Sequence, residues 1–276
     1  MTCDFSGIRL PPICDLTERE ISDYAGHLGI ERFETEEQCA TRQLSMIKRL
    51  ERRGLLNSVQ RDHLMFVMEH GLPLDWHDLS AACHFARRAV KLEVLMAHRE
   101  ALLGWSQPLV HATCMFSKWQ VSVEDLPTVK PRSIAKSVAR VLPYGVIGTG
   151  AVELTHIERP DGLIVAPHVH LVCAAPDPSK IGPALQWLKR QELNRRPVRV
   201  DLIRKGEEGV VINYAHKRLA SKRVPYVDDD GYSRARQLPL AAKWEAELDA
   251  WLMSLKASDL AFTVGMKRNG SFLVRA

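Results

Sequence analysis

Residues 144–173 read YGVIGTGAVELTHIERPDGLIVAPHVHLVC and contain the clearest structural pattern in the chain. Two runs of apolar and β-branched residues, at 150–157 and 168–172, flank the turn-forming triplet Pro160-Asp161-Gly162. Extended runs on either side of such a turn are typical of a β-hairpin. We therefore predict a hairpin here and place the rest of the fold around it.

His168 and His170 are the residues of this hairpin with the most specific chemistry. They stand two positions apart, directly after Pro167. Side chains alternate along a strand, so both imidazoles lie on one face and can approach one ion. The spacing predicts two ligands of a metal ion.

A third ligand depends on the register of the hairpin. If the turn centres on Asp161-Gly162, the pairing places Glu153 opposite His170, and two imidazoles and a carboxylate share one face. A three-residue turn would instead point Glu153 away and bring His156 or Glu158 round. Glu153 is the third ligand that we expect.

Length and composition describe an ordinary globular chain. It has 276 residues, of which 46% are hydrophobic and 26% charged, enough for one large or two modest domains. The net charge of +5 is compatible with a polyanionic partner but does not demonstrate one. The six cysteines form no CxxC pair, which favours reduced thiols over disulfides or a zinc site. No apolar run reaches membrane-spanning length and no signal sequence is evident, so we expect a cytoplasmic protein without membrane contact.

Residues 1–104 have helical periodicity and predict a small α-helical region before the sheet. Thr17 begins a capping pattern, and helical stretches follow at 35–53, 58–69 and 75–103. Five basic residues, four at the end of the stretch 35–53 and one after the turn that follows it, fit either DNA phosphates or a solvated helix face: Lys48, Arg49, Arg52, Arg53 and Arg61. Whether this region recognises DNA or braces the core is open.

The order of elements after residue 105 predicts an α+β fold. A strand at 109–116, a helix at 132–142, the hairpin, a helix at 178–192 and a strand at 198–203 follow one another. This is the order of a ferredoxin-like antiparallel sheet with flanking helices, and it extends to about residue 235. Residues 236–276 add an amphipathic helix at 240–256 and a hairpin that turns at Asn269-Gly270.

Tyr214 and Lys217 form a second cluster of reactive side chains. On a helix at 207–221 they project on one face. A tyrosine hydroxyl has a pKa near 10 and needs a neighbouring cation to react at neutral pH. The β-branched run before Tyr214 also suits a strand, on which the two side chains would point to opposite faces.

The two motifs together resemble those of the HUH endonucleases that initiate rolling-circle replication. His168-Val169-His170 is similar to the His-hydrophobic-His motif of that family, and Tyr214-Ala215-His216-Lys217 to its Tyr-x-x-Lys motif. The resemblance covers residues 109–223. The family's upstream motif, a strand with Thr or Ser near its centre, matches loosely at Thr113. A single tyrosine in the motif implies a one-tyrosine replication initiator of a plasmid or phage, or a single-tyrosine transposase.

The resemblance implies roles for individual residues. His168, His170 and Glu153 would hold Mg or Mn, Tyr214 would attack a DNA phosphodiester, and Lys217 would assist it. The reaction would nick and rejoin single-stranded DNA through a 5′-phosphotyrosine.

The partners implied are single-stranded or supercoiled origin DNA, with a host helicase and DNA polymerase. We expect basic side chains of the core to hold the strand: Arg218, Lys189, Arg190, Arg195, Arg196 and Arg199. Two other functions stay open, a non-catalytic origin-binding regulator and a metal-dependent phosphodiesterase that activates water. We interpret His111, His156 and His216 as structural histidines.

Overall fold

A computed structural model describes residues 13–30, 33–101, 107–189, 196–216, 221–269 and 272–275. Within these ranges there are eight α-helices: α1 Glu18–His27, α2 Glu36–Glu51, α3 Ser58–His70, α4 His84–Ala101, α5 Pro131–Val141, α6 Ile181–Gln186, α7 Glu208–Ala215 and α8 Ala242–Met253. The same ranges contain ten strands: β1 Leu109–Cys114, β2 Val121–Ser122, β3 Ile147–Arg159, β4 Gly162–Ala174, β5 Val198–Leu202, β6 Ser221–Val227, β7 Ser233–Pro239, β8 Ala261–Val264, β9 Met266–Asn269 and β10 Phe272–Arg275.

The predicted α+β class is confirmed, with one large mixed sheet at its centre. Its strands follow the order β5-β1-β4-β3-β6-β7, while β2 pairs with β4 and β8 pairs with β3. The β3–β6 pair is parallel and the remaining pairs in this sheet are antiparallel. Strands β9 and β10 form a separate hairpin in the C-terminal segment, as predicted, but Asn269 pairs with Phe272, so the predicted turn centre at Asn269-Gly270 is wrong.

The central hairpin is longer than predicted and turns one residue earlier. Arg159 pairs with Gly162, so Pro160 and Asp161 form the turn, and Glu153 faces His168. The expected pairing of Glu153 with His170 is therefore wrong. The fixed φ of proline suits the first turn position, and Gly162 follows with a φ of 138°. Moving the turn centre by one residue shifts the partner of Glu153 by two positions, from His170 to His168. Glu153 therefore still lies on the same face as both histidines.

The two faces of the hairpin have different neighbours. Val169 and Leu171 point into the main hydrophobic core, where α5 packs against β3 and α6 against β1 and β5. Val172, on the same face as His168 and His170, packs with Leu95 of α4 and Ile212 of α7. Helix α7 contacts both β4 and α4. The two histidines consequently lie on the face that α4 and α7 cover.

The N-terminal helices pack against the rest of the protein. Thr17 and Thr35 form capping boxes at the starts of α1 and α2, as the sequence predicts for Thr17. Helix α2 contacts α4 and α8, and Arg49 of the basic cluster binds Asp249 of α8 at 2.5 Å. Arg49 therefore braces the helices. No helix in the described ranges is long and apolar enough to cross a membrane.

Three predicted helices have different bounds. The stretch 75–103 is not one helix, because residues 79–81 run extended against 255–257, with Ala81 N donating to Leu255 O. Helix α6 ends at Gln186 and not at 192. The helix predicted to reach 221 stops at Ala215, and Ser221 begins β6, which pairs with β7. The boundary predicted near residue 104 lies outside the described residues.

The cysteines fit the predicted reduced state where the structure describes their side chains. Cys39, Cys83, Cys114 and Cys173 are free and buried. Burial raises the pKa of Cys114 and of Cys173 to about 12, so these thiols stay protonated near neutral pH.

His156 gives the fold a sensitivity to acid. It is fully buried, neither ring nitrogen has a hydrogen-bond partner among the described residues, and burial lowers its pKa from 6.5 to about 4. Between these two pKa values the unfolded chain binds more protons than the folded one. The free energy of unfolding therefore keeps its full value above pH 6.5 and decreases as the pH falls towards 4.

We predict that His156→Leu raises the free energy of unfolding by about 1–2 kcal/mol at pH 7, since it removes an unsatisfied buried group. Between pH 6.5 and 4, the free energy of unfolding should fall less in the variant than in the wild type, by up to about 3 kcal/mol. Urea unfolding at several pH values measures both effects, with the exposed His63→Gln as control. Equal pH profiles for His156→Leu and the wild type would contradict the prediction.

Candidate metal centre

Three side chains of the central hairpin converge on one point. Glu153 Oε2 lies 3.0 Å from His168 Nε2 and 3.3 Å from His170 Nε2, and all three residues are buried. Cross-strand pairing sets this geometry, because Glu153 stands directly opposite His168 and His170 is the next residue on that face. The structure thus brings the three predicted ligands together.

The spacing of these atoms fits a divalent cation. A metal ion with ligand bonds of about 2.0–2.2 Å holds adjacent ligand atoms about 3.0 Å apart at 90° and about 3.4 Å apart at the tetrahedral angle. The two observed separations lie in that interval. Glu153 Oε1 is also buried and has no hydrogen-bond partner among the described residues. Glu153, His168 and His170 could therefore hold a metal ion between them.

The protonation state of Glu153 suits metal binding. Burial acts to raise its pKa, but hydrogen bonds and charge from His168 and His170 outweigh burial and lower it. The carboxylate is therefore ionised near neutral pH and available as a ligand.

The other nitrogen of His170 is held by strand β1. Thr113 Oγ1 lies 3.2 Å from His170 Nδ1, and His111 Nε2 lies 3.1 Å from the same atom. The rings of His111 and His170 are 5.2 Å apart with 18° between their planes, which suits an edge-to-edge N–H···N bond. These contacts orient the ring so that Nε2 faces Glu153.

His111 belongs to this site and is not merely a structural histidine as interpreted from the sequence. It pairs with Val172 and therefore shares the face of His170. Alternation along β1 puts His111 and Thr113 on one face, but only the β1–β4 register, which the sequence leaves open, shows which face that is.

Tyr214 lies beside the histidines on helix α7. Its ring is 5.3 Å from that of His170 and 6.2 Å from that of His111, both edge-on, and the residue is 45% exposed. The helix predicted around Tyr214 is confirmed, and the alternative strand is wrong. Gly209 fixes the position of α7, because a Cβ there would lie 2.0 Å from the backbone oxygen of Leu28, the residue directly after α1. Lys217 and Arg218 lie outside the described residues.

Of the predicted DNA-binding residues, only some lie in the described part of the chain, and one of these shares the face of the site. Arg199 pairs with Thr113 and so lies on the site face, mostly exposed, with its Nε 2.7 Å from Asp201 Oδ2. Lys189 and Arg196 are exposed beyond α6 and before β5. Arg190 and Arg195 lie outside the described residues.

Comparisons of the chain with protein-family models, curated proteins and solved structures found no match.

We predict that Mn²⁺ at about 100 times its Kd raises the melting temperature of the wild type by about 5 °C, because the ion binds only the folded state. Glu153→Gln should abolish most of this shift, since a neutral amide replaces the ionised ligand. Thermal unfolding with Mn²⁺ and with EDTA measures the shift, and Glu69→Gln, an exposed change on α3, serves as control. If Mn²⁺ raised the melting temperature of Glu153→Gln as much as that of the wild type, Glu153 would not be a metal ligand.

Proposed function

We propose that this protein nicks and rejoins single-stranded DNA through a 5′-phosphotyrosine, as a replication initiator of the HUH type for a plasmid or phage. The observation that carries the proposal is the position of Tyr214, whose ring is 5.3 Å from the ring of His170, which converges with His168 and Glu153. A reactive hydroxyl beside a candidate metal site is the arrangement that metal-assisted phosphodiester transfer needs.

The strand order supports a ferredoxin-like core within the larger sheet. The segment β1-α5-β3-β4-α6-β5 has the β-α-β-β-α-β order of that fold, apart from the short β2. Its four main strands lie in the order β5-β1-β4-β3, and each neighbouring pair is antiparallel. In this proposal the hairpin that carries Glu153, His168 and His170 supplies two of the four core strands.

The proposed reaction exchanges one phosphodiester for another. Tyr214 Oη forms a bond to phosphorus while the bond to the 3′ oxygen breaks, the phenol proton passes to solvent and the leaving oxygen gains a proton. A bound Mg or Mn ion would act as a Lewis acid that stabilises charge on the phosphate oxygens. Glu153, His168 and His170 would hold that ion, and His111 and Thr113 would orient His170. Because little free energy is lost, the same site can reverse the step.

The surroundings of Tyr214 suit a polymeric substrate. The residue is half-exposed, so a DNA strand can reach its hydroxyl without opening the core. Arg199 on the same face is a basic contact for that strand. Cytoplasmic origin DNA, single-stranded or supercoiled, is the partner we propose, with a helicase that unwinds the duplex and a polymerase that extends the free 3′ end.

Incubation of the wild type with single-stranded DNA from its own replicon and Mn²⁺ should give a covalent protein–DNA band on a denaturing gel. We predict that Tyr214→Phe loses this band completely, because the variant has no nucleophilic hydroxyl. Tyr226→Phe, an exposed tyrosine of β6, should retain it.

Other outcomes separate the remaining functions. Cleavage without a covalent band would favour water activation at the histidines. Binding without cleavage, unchanged in Tyr214→Phe, would favour an origin-binding regulator.

A further inference from the structure

An open cleft of about 670 Å³ leads from the surface to the candidate metal centre. Its walls come from α2, α4, α8 and the edge of β3, and its lining includes Phe33, Arg42, Lys91, Glu153 and His216. Along this edge, β3 pairs with β8 up to residue 151 and with β6 from residue 156. Between these two positions the edge has no strand partner among the described residues. The cleft therefore lets a ligand approach Glu153 from the side of the N-terminal helices.

Two buried polar atoms without partners belong to residues that line this cleft. His216 Nε2 and Glu153 Oε1 are buried and make no hydrogen bond to the described residues. The ammonium of Lys91 is half-buried, and no described carboxylate lies within salt-bridge distance of it. Since buried polar groups are normally satisfied, the unpartnered nitrogen of His216, together with the ammonium of Lys91, indicates that a polar ligand binds in the cleft, while the open oxygen of Glu153 is already assigned to the metal ion.

Lys91 provides positive charge that makes no salt bridge with a described carboxylate, although Glu34 and Glu153 are near enough to favour its charged form. Its ammonium lies 5.4 Å from the ring of Phe33, and burial lowers its pKa. Two carboxylates in its surroundings are already committed, Glu34 to Arg42 and Glu153 to the histidine pair. A ligand phosphate would restore the missing counter-charge.

Tyr214 adjoins the candidate metal centre at His170, whereas the cleft adjoins it at Glu153, and Tyr214 is not among the residues that line the cleft. The ring of Tyr214 contacts His111 and His170, whereas His216, two residues later at the end of α7, lines the cleft with Glu153. In phosphoryl transfer the attacking and leaving oxygens stand roughly in line. With Tyr214 attacking from its side, the leaving 3′ oxygen and the nucleotides upstream of it point towards the cleft.

We propose that this cleft binds the DNA segment on the 5′ side of the nick, and that Lys91 contacts one of its phosphates. The inference rests on the proposed nicking function and assigns the N-terminal helices a direct part in holding substrate. A volume of about 670 Å³ is within the range of about 300–1,000 Å³ typical of pockets for small molecules, enough for a nucleotide-sized group.

The first test measures binding of a fluorescent oligothymidylate without metal. Lys91→Met should lower affinity about tenfold and make the log–log salt dependence shallower by about 0.7, as expected for one lost phosphate contact. Lys91→Arg keeps the charge and should bind within about threefold of the wild type. Lys136→Met, an exposed change on α5, is the control.

Melting temperatures separate binding from folding. Lys91→Met should melt at or above the wild-type temperature, because it removes a half-buried charge that has no described carboxylate partner. Unchanged binding in Lys91→Met, equal losses in Lys91→Met and Lys91→Arg, or a loss that merely follows a lower melting temperature would each overturn the inference.

The second test locates the phosphate. Once wild-type cleavage has mapped the nick, single neutral methylphosphonate linkages are placed on either side of it. One linkage on the 5′ side should weaken wild-type binding but leave Lys91→Met unaffected, whereas an effect found only on the 3′ side would overturn the assignment. If the wild type does not nick, yet its DNA binding depends on Lys91, the nicking function fails and the cleft stands as a binding site. If nicking occurs and Lys91 has no effect, only the inference fails.

Discussion

The pairing of Glu153 with His168 across the central hairpin is the constraint on which the candidate site depends. Side chains alternate with a period of two, so a slip of one residue would turn Glu153 away from both histidines. The hydrophobic pattern opposes such a slip, because Val169 and Leu171 would leave the core that α5 and α6 cover, and His168 and His170 would enter it. Core formation and ligand placement are therefore specified by the same alternation.

The nucleophile is positioned by a different set of contacts. Helix α7 packs on β4 through Ile212 and Ala215, and its start lies against the end of α1 at Gly209. The N-terminal helices consequently fix where Tyr214 stands relative to the histidines, and α4 supplies Lys91 to the adjoining cleft. The N-terminal helices can therefore both support the core and contact the substrate.

Much of the site could be predicted because its information is local. The hairpin follows from Pro160, Asp161 and the β-branched runs, and the shared face of His168 and His170 follows from their spacing. The exact partner of Glu153 was missed by two positions, since proline placed at the first turn position moves the turn centre. The prediction that Glu153 shares a face with the two histidines is nevertheless correct, because a shift of two positions keeps the alternation of side chains.

What the sequence could not supply is tertiary. His111 becomes a neighbour of His170 only through the β1–β4 register, and nothing near Lys91 in the sequence indicates that it lies beside Glu153. The break before α4 arises because residues 79–81 pair with the segment after α8, about 175 residues away. Contacts between distant segments override the helical periodicity of 75–83.

Crystals of the wild type soaked in Mn²⁺ and measured at the manganese absorption edge would test this arrangement most directly. We predict an anomalous peak bonded to His168 Nε2, His170 Nε2 and Glu153 Oε2, with the hydroxyl of Tyr214 directed towards the coordination sphere. The absence of a peak at these atoms, or a peak from which Tyr214 is turned away, would contradict the proposed metal-assisted tyrosine chemistry.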